Sequence, residues 1–190
     1  MERLLSEMHK PIVINLSGPP GAGKSTGAAQ VFCTLKKLGI NCELVAEYAK
    51  DKTWENNMKA IDCQEYIFGN QSYRLQRCRE DVDVIVTDSP LPLSIIYNHN
   101  PALDKSFEKV VMNVFNTYTN LNFMIKRDKP YNPTGRNQSE DESNLLGDKI
   151  IDLYNRLHIP FISIKGNDAG YEFVVECVKA RLKEMKILDE

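Results

Sequence analysis

The sequence has no charge excess of either sign, no long apolar run and no closely spaced cysteine pair. Twenty-four Lys and Arg stand against 26 Asp and Glu, a net charge of −2. No bulk positive field therefore draws the chain to a polyanion, and a nucleic-acid partner would have to be held by a local basic patch. The longest apolar runs, near 12–16 and 82–87, fall far short of the roughly 20 residues that cross a bilayer, so a membrane-spanning protein is not expected. The first ten residues carry Glu2, Arg3, Glu7, His9 and Lys10 and lack the apolar core of a secretory signal, which leads us to expect a cytoplasmic protein. Its five cysteines, Cys33, Cys42, Cys63, Cys78 and Cys177, form no C-x-x-C pair; they read as free thiols, not as a zinc site or a disulfide framework. The guanine-reading N-K-x-D of regulatory GTPases is also missing.

What is present is a chain of 190 residues with 42% apolar and 26% charged residues, within the range of one ordinary folded domain. Five β-branched or apolar segments bounded by turn residues, 12–16, 42–46, 82–87, 122–125 and 161–164, read as buried strands. Helical patterns alternate with them: 24–38 ends at Gly39, Leu146, Ile150, Leu153 and Leu157 share one face, and so do Val174, Cys177, Val178, Leu182 and Met185. Such alternation predicts an α/β fold with a parallel sheet covered by helices on both faces. With no repeat and no long linker, residues 1–190 read as a single domain. It carries an insertion at about 50–80 and a loop at about 126–139 that enters its helix through the capping box Ser139-x-x-Glu142.

The segment Gly18-Pro-Pro-Gly21-Ala22-Gly23-Lys24-Ser25 matches G-x-x-x-x-G-K-[ST] and stands between a predicted strand and a predicted helix, the context that a phosphate-binding loop requires. Glycines let consecutive backbone N–H groups turn around a phosphate, and the helix N-terminus adds its dipole. Lys24 then reaches the β- and γ-phosphates, Ser25 ligates Mg²⁺, and Thr26 falls at the α-phosphate.

Two carboxylates end strands at the edge where open α/β sheets place ligands. Asp88, in Asp88-Ser89-Pro90, is a candidate magnesium residue, although Asp before Ser-Pro is also a good helix cap. Glu47, in Glu47-Tyr48-Ala49, is the candidate general base, because an alcohol acceptor needs a carboxylate to orient its hydroxyl and take its proton. The insertion holds Trp54, Gln71 and Arg74, candidates for acceptor contact, although aromatics at helical spacing commonly serve as core. Arg127 and Arg136 flank the 126–139 loop and could fold over the transferring phosphoryl group, where a permanently charged fork suits the growing charge. Asn167, after the last strand, stands where adenine is often seated, or caps the helix that follows.

Taken in this order and spacing, the Gly18–Thr26 loop, the Glu47 strand end, Asp88-Ser89-Pro90 and the arginine-bearing loop resemble small P-loop kinases of the nucleoside and nucleotide kinase group. The likeness is closest to the family that includes ribosylnicotinamide kinases and phage-encoded kinases. The resemblance implies the P-loop NTPase fold with a five-stranded parallel sheet in the order 2-3-1-4-5, ATP and Mg²⁺ as cofactors, and Glu47 as base. It also implies a nucleoside- or nucleotide-like acceptor, with a hydroxymethyl pyrimidine in DNA as the phage-type variant, and leaves a homodimer open. Ser89 and Pro90 follow Asp88 where deoxynucleoside kinases carry an arginine, so the acceptor contact of that arginine is missing or replaced. The alternative class is an NTPase switch coupled to a partner protein.

Overall fold

Six consecutive buried residues, Ile12–Ser17, form the central strand β1. A strand covered on both faces needs no polar alternation, which is why this segment reads as one continuous apolar run. The computed structural model describes residues 10–132 and 139–188. Strands β2 (Cys42–Val45), β3 (Val84–Thr87), β4 (Thr119–Lys126) and β5 (Ile162–Lys165) complete a five-stranded sheet ordered β2-β3-β1-β4-β5, with every pairing parallel. This is the sheet of the P-loop NTPase fold, in the order expected from the sequence.

Helix α1 (Lys24–Lys37) connects β1 to β2, and three helices, α2 (Tyr48–Trp54), α3 (Met58–Asp62) and α4 (Gln64–Gln76), fill the long crossover to β3. Between β3 and β4 lie α5 (Leu93–Tyr97) and α6 (Asp104–Phe115); α7 (Glu140–Arg156) precedes β5 and α8 (Asp168–Glu184) follows it. On one face of β1, Ile12, Ile14 and Leu16 pack with Val31 and Leu35 of α1 and with Val174, Val178 and Leu182 of α8. On the other, Val13 packs with Leu75 of α4, Val111 of α6, and Ile150 and Tyr154 of α7. Among the described residues no helix is long and apolar enough to cross a membrane.

Two strand starts differ from the sequence reading by two or more residues, for local reasons. Strand β3 starts at Val84, not at Val82, because the N–H groups of both Asp83 and Val84 turn to the Asn41 carbonyl just ahead of β2. Strand β4 begins at Thr119, earlier than expected, and holds Asn120 and Asn122, a residue type depleted in strands. Their amides are satisfied: Asn15 Nδ2 donates to Asn120 Oδ1 (2.9 Å) and Asn122 Oδ1 (3.0 Å), and Asn122 Nδ2 donates to the Pro160 carbonyl (3.0 Å). The expected capping box is present, with the Ser139 N–H donating to Glu142 Oε2 (2.7 Å) and the Glu142 N–H to Ser139 Oγ (3.3 Å). These bonds hold the Glu142 carboxyl below the usual carboxylate range.

At the carboxyl edge the backbones crowd. The Gly166 N–H donates to the Lys126 carbonyl (2.9 Å), and a Cβ at Gly166 would run into the Ala22 carbonyl oxygen of the phosphate loop. Gly166→Ala should therefore cost about 1–3 kcal/mol by overpacking, read as a thermal midpoint lower by about 2–12 °C, and should weaken nucleotide binding. An unchanged melting curve would mean that the turn after β5 gives way freely.

Candidate functional site

The phosphate loop leaves β1 at Gly18 and ends at Gly23, and Gly18, Gly21 and Gly23 adopt φ of 151°, 80° and 98°, conformations that side chains with a Cβ seldom accept. Gly23 is the N-cap of α1 and supplies no side-chain cap. The first N–H groups of that helix therefore lack the oxygen that a Ser or Asp cap would offer, and they suit an anion. Lys24 folds back over the loop, its Nζ donating to the carbonyls of Gly18 (2.9 Å) and Pro19 (3.1 Å). Ser25 and Thr26 are exposed in the first helical turn.

The loop is gripped from behind. The Pro20 carbonyl accepts from the guanidinium of Arg127 (3.3 Å) and from Ser143 Oγ (2.8 Å), and Arg127 also donates to Ser143 Oγ (2.6 Å), Asn144 Oδ1 (3.1 Å) and Glu140 Oε1 (3.2 Å). Its guanidinium lies over the Tyr131 ring, 4.9 Å from the centroid. Arg127 was expected in a lid over the phosphoryl group; here it ties the α7 N-terminus to the loop tip. On the other flank, Tyr171 of α8 donates its hydroxyl to the Gly23 carbonyl (3.0 Å) and packs where a Cβ on Gly27 would sit. Arg136 lies outside the described residues.

The two acidic strand ends meet beside the loop. Asp88 is buried, and its Oδ1 accepts from the Glu47 N–H (3.1 Å). It does not cap the helix that follows, which begins at Leu93 with Pro92 as N-cap. Glu47 is half-buried; burial pushes its carboxyl above the usual range and the Asp88 charge acts in the same sense, while Lys24 pulls it back. Tyr97 of α5, which carried no signal in the sequence, stands within the field of this carboxylate: its phenol is pushed up to about 12 by burial and then by Glu47.

Gln71 and Arg74, expected as acceptor contacts, hold the Glu47 corner. The Tyr48 N–H donates to Gln71 Oε1 (2.8 Å), Arg74 donates to the Ala46 carbonyl (3.2 Å), and Arg74 pairs with Asp51. The Arg74 guanidinium also covers the Tyr48 ring (4.9 Å), whose hydroxyl bonds that of Tyr66 (2.6 Å). Gln71 is buried, whereas Trp54 is 74% exposed at the far end of α2. A cleft of about 280 Å³ opens from the loop, lined by Gly21, Ala22, Gly23 and Thr26 at one end and by Asp128, Asn167 and Asp168 at the other. Asn167 both caps α8, accepting from the Gly170 N–H (3.0 Å), and donates to Asp128 Oδ2 (2.7 Å).

A magnesium ion fits the oxygens present. No group of three or more His, Cys, Asp or Glu gathers among the described residues, and a phosphate-bound Mg²⁺ needs none, since one or two protein oxygens plus phosphates and waters complete its shell. The hydroxyl of Ser25 and the free oxygen of Asp88 are donors of that hard type.

The chain belongs to a family described as AAA domain, whose model matches residues 13–169. This matches the P-loop nucleotide-binding class that the sheet and the loop define. A solved structure of NadR protein in complex with NR shares the fold, with a TM-score of 0.67 over 90% of this chain at 14% identity. The chain spans about half, 51%, of the length of that neighbour. No curated protein matches.

Arg127→Ala removes the charged brace behind Pro20 and should lower stability by about 1–3 kcal/mol, measured by urea unfolding. It should also weaken Mg-ATP binding by calorimetry. An arginine aimed at the transition state would behave in the opposite way, slowing turnover with ATP binding intact.

Proposed function

We propose that this chain is a kinase that moves the γ-phosphate of Mg-ATP to a hydroxyl of a nucleoside-like acceptor. The observation that carries this reading is the meeting of Glu47, Asp88 and Lys24 at the carboxyl edge of the sheet, where the electrostatics of each acts on the Glu47 carboxyl. A carboxylate held above its usual range is suited to receiving a proton near neutral pH. An acceptor hydroxyl has a proton to lose; an acceptor phosphate already ionised does not.

In this reading Lys24 leaves the Gly18 and Pro19 carbonyls and neutralises the β- and γ-phosphates, while N–H groups of the loop and of the first turn of α1 hold their oxygens. Ser25 and Asp88 would hold Mg²⁺, which supplies charge neutralisation across the phosphates. The acceptor oxygen forms its bond to the γ-phosphorus as the bond to the ADP oxygen breaks, and the hydroxyl proton passes to Glu47. Tyr97, protonated throughout the working range, donates to the acceptor. Arg136 remains a proposed lid residue, and Trp54 an acceptor contact that would require α2 to move inward.

Labelled ATP offered with nucleosides, nucleotides, and single- and double-stranded DNA of natural and modified bases should yield one labelled acceptor. Release of bare phosphate with every acceptor would instead mark an NTPase. Lys24→Ala should remove transfer while the fold persists, a loss of several kcal/mol of barrier lowering; near wild-type turnover in that variant would contradict the reading. Because the Glu47 carboxyl is raised in the folded protein, it is protonated and inactive below a pH that lies above the ordinary value of 4.5. The acidic limb of kcat/KM should therefore sit above that value, and Glu47→Gln should lower kcat and abolish the limb. Asp88→Asn should respond to added Mg²⁺ where Glu47→Gln does not, and the reverse would exchange the two roles.

A further inference from the structure

We propose that the outward face of α4 is the contact through which two copies of this chain form a dimer, the two helices lying antiparallel across a two-fold axis. This surface is independent of which acceptor the chain phosphorylates. Helix α4 buries Ile67, Phe68, Gln71 and Leu75 against the body of the protein. Its other side carries Tyr66, Asn70, Tyr73 and Arg77, spaced at i, i+4, i+7 and i+11 and so aligned in one stripe.

Two features of that stripe have no use within one copy. Tyr66 is 43% exposed and Tyr73 68%, and tyrosine, with an apolar ring and a polar tip, is a residue type enriched where two proteins meet. One turn from each ring stands Gly69, exposed in the helix interior. Glycine is the least favourable residue after proline inside a helix. Packing within the protomer does not call for it, since no described atom lies within 4 Å of the place where a Cβ would stand. A notch between two exposed rings suits the close approach of a side chain from outside.

Symmetry and charge select a second copy as the occupant. A two-fold axis through the middle of the stripe sets Tyr73 of each copy over Gly69 of the other and Tyr66 of each against Arg77 of the other, so one patch is complementary to itself. Exposed Glu65 lies at the N-terminal end of the helix and exposed Arg77 at its C-terminal end. Antiparallel helices bring each carboxylate toward a guanidinium, whereas parallel ones would set like charges side by side. The guanidinium can also cover the Tyr66 ring. With 13 residues, α4 is about 20 Å long, so the contact is small and the dimer forms in the micromolar range. The same helix supports the Glu47 corner from its inner side through Gln71 and Arg74, and the dimer backs it from outside.

Sedimentation velocity of the full chain over a micromolar to submillimolar series tests this with no nucleotide present. Wild type should pass from monomer to dimer as concentration rises. Gly69→Leu grows into open space in the protomer, so its melting midpoint at low concentration should not fall. It should still weaken the dimer by about tenfold or more, because the clash counts at both symmetric places. Tyr73→Ser, at an exposed position, should do the same. Arg77→Glu and Glu65→Lys should each weaken the dimer several-fold, and the two together should restore it. A wild type that stays monomeric through the series would overturn the proposal. So would a dimer that Gly69→Leu and Tyr73→Ser leave intact, which would place the contact elsewhere, or a charge-exchanged pair that does not regain it.

Discussion

The phosphate loop depends on being held in one shape by groups that lie outside it. Glycine-rich backbone has little internal reason to keep such a shape, so the restraint has to come from elsewhere, here from the carbonyl side. Pro20 is held by Arg127 and Ser143, and Gly23 by the Tyr171 hydroxyl. Lys24 meanwhile bonds the Gly18 and Pro19 carbonyls, an arrangement that keeps its charge partnered until phosphates compete for it. The brace reaches the loop from α7 and α8, elements more than a hundred residues away in sequence, so the site draws on the whole sheet.

The second layer is electrostatic. Joining β2 to β3 through the Glu47 N–H and Asp88 Oδ1 brings two carboxylates together, and like charges at close range in a partly dry site push one of them toward its protonated form. Burial raises the Glu47 carboxyl first, Asp88 adds to it, and Lys24 opposes both. The roles of the two acids separate on that basis: the buried one, bonded to a backbone N–H, suits a metal, and the one shifted upward suits a proton. Gln71 and Arg74 fix the same corner from α4, and this helps to place the carboxylate.

The alternation of strands and helices, the phosphate loop, the capping box at Ser139 and the acidic strand ends were legible because each depends on short-range chemistry: apolar runs, glycine conformations and side chains one to four residues apart; the order of the strands came only with the family resemblance. Asn120 hid the start of β4, since only the partnership with Asn15 across the sheet makes it tolerable in a strand. Arg127, Gln71 and Arg74 carry the right atoms for substrate contacts, and nothing in their local sequence shows that backbone carbonyls and amides a long way off in the chain claim those atoms first. Tyr97 was invisible for the complementary reason, because its place beside Glu47 depends on where α5 lands after β3.

If the loop is preorganised by its rear brace, Lys24 is the part that moves to meet the phosphates. A crystal structure with Mg²⁺ and a non-hydrolysable ATP analogue tests it most directly. The account requires the Lys24 ammonium to have left the Gly18 and Pro19 carbonyls for the β- and γ-phosphates, with the Pro20 contacts to Arg127 and Ser143 unchanged. A loop that has rebuilt its backbone around the analogue and released Arg127, or a Lys24 still bonded to its own loop, would contradict it.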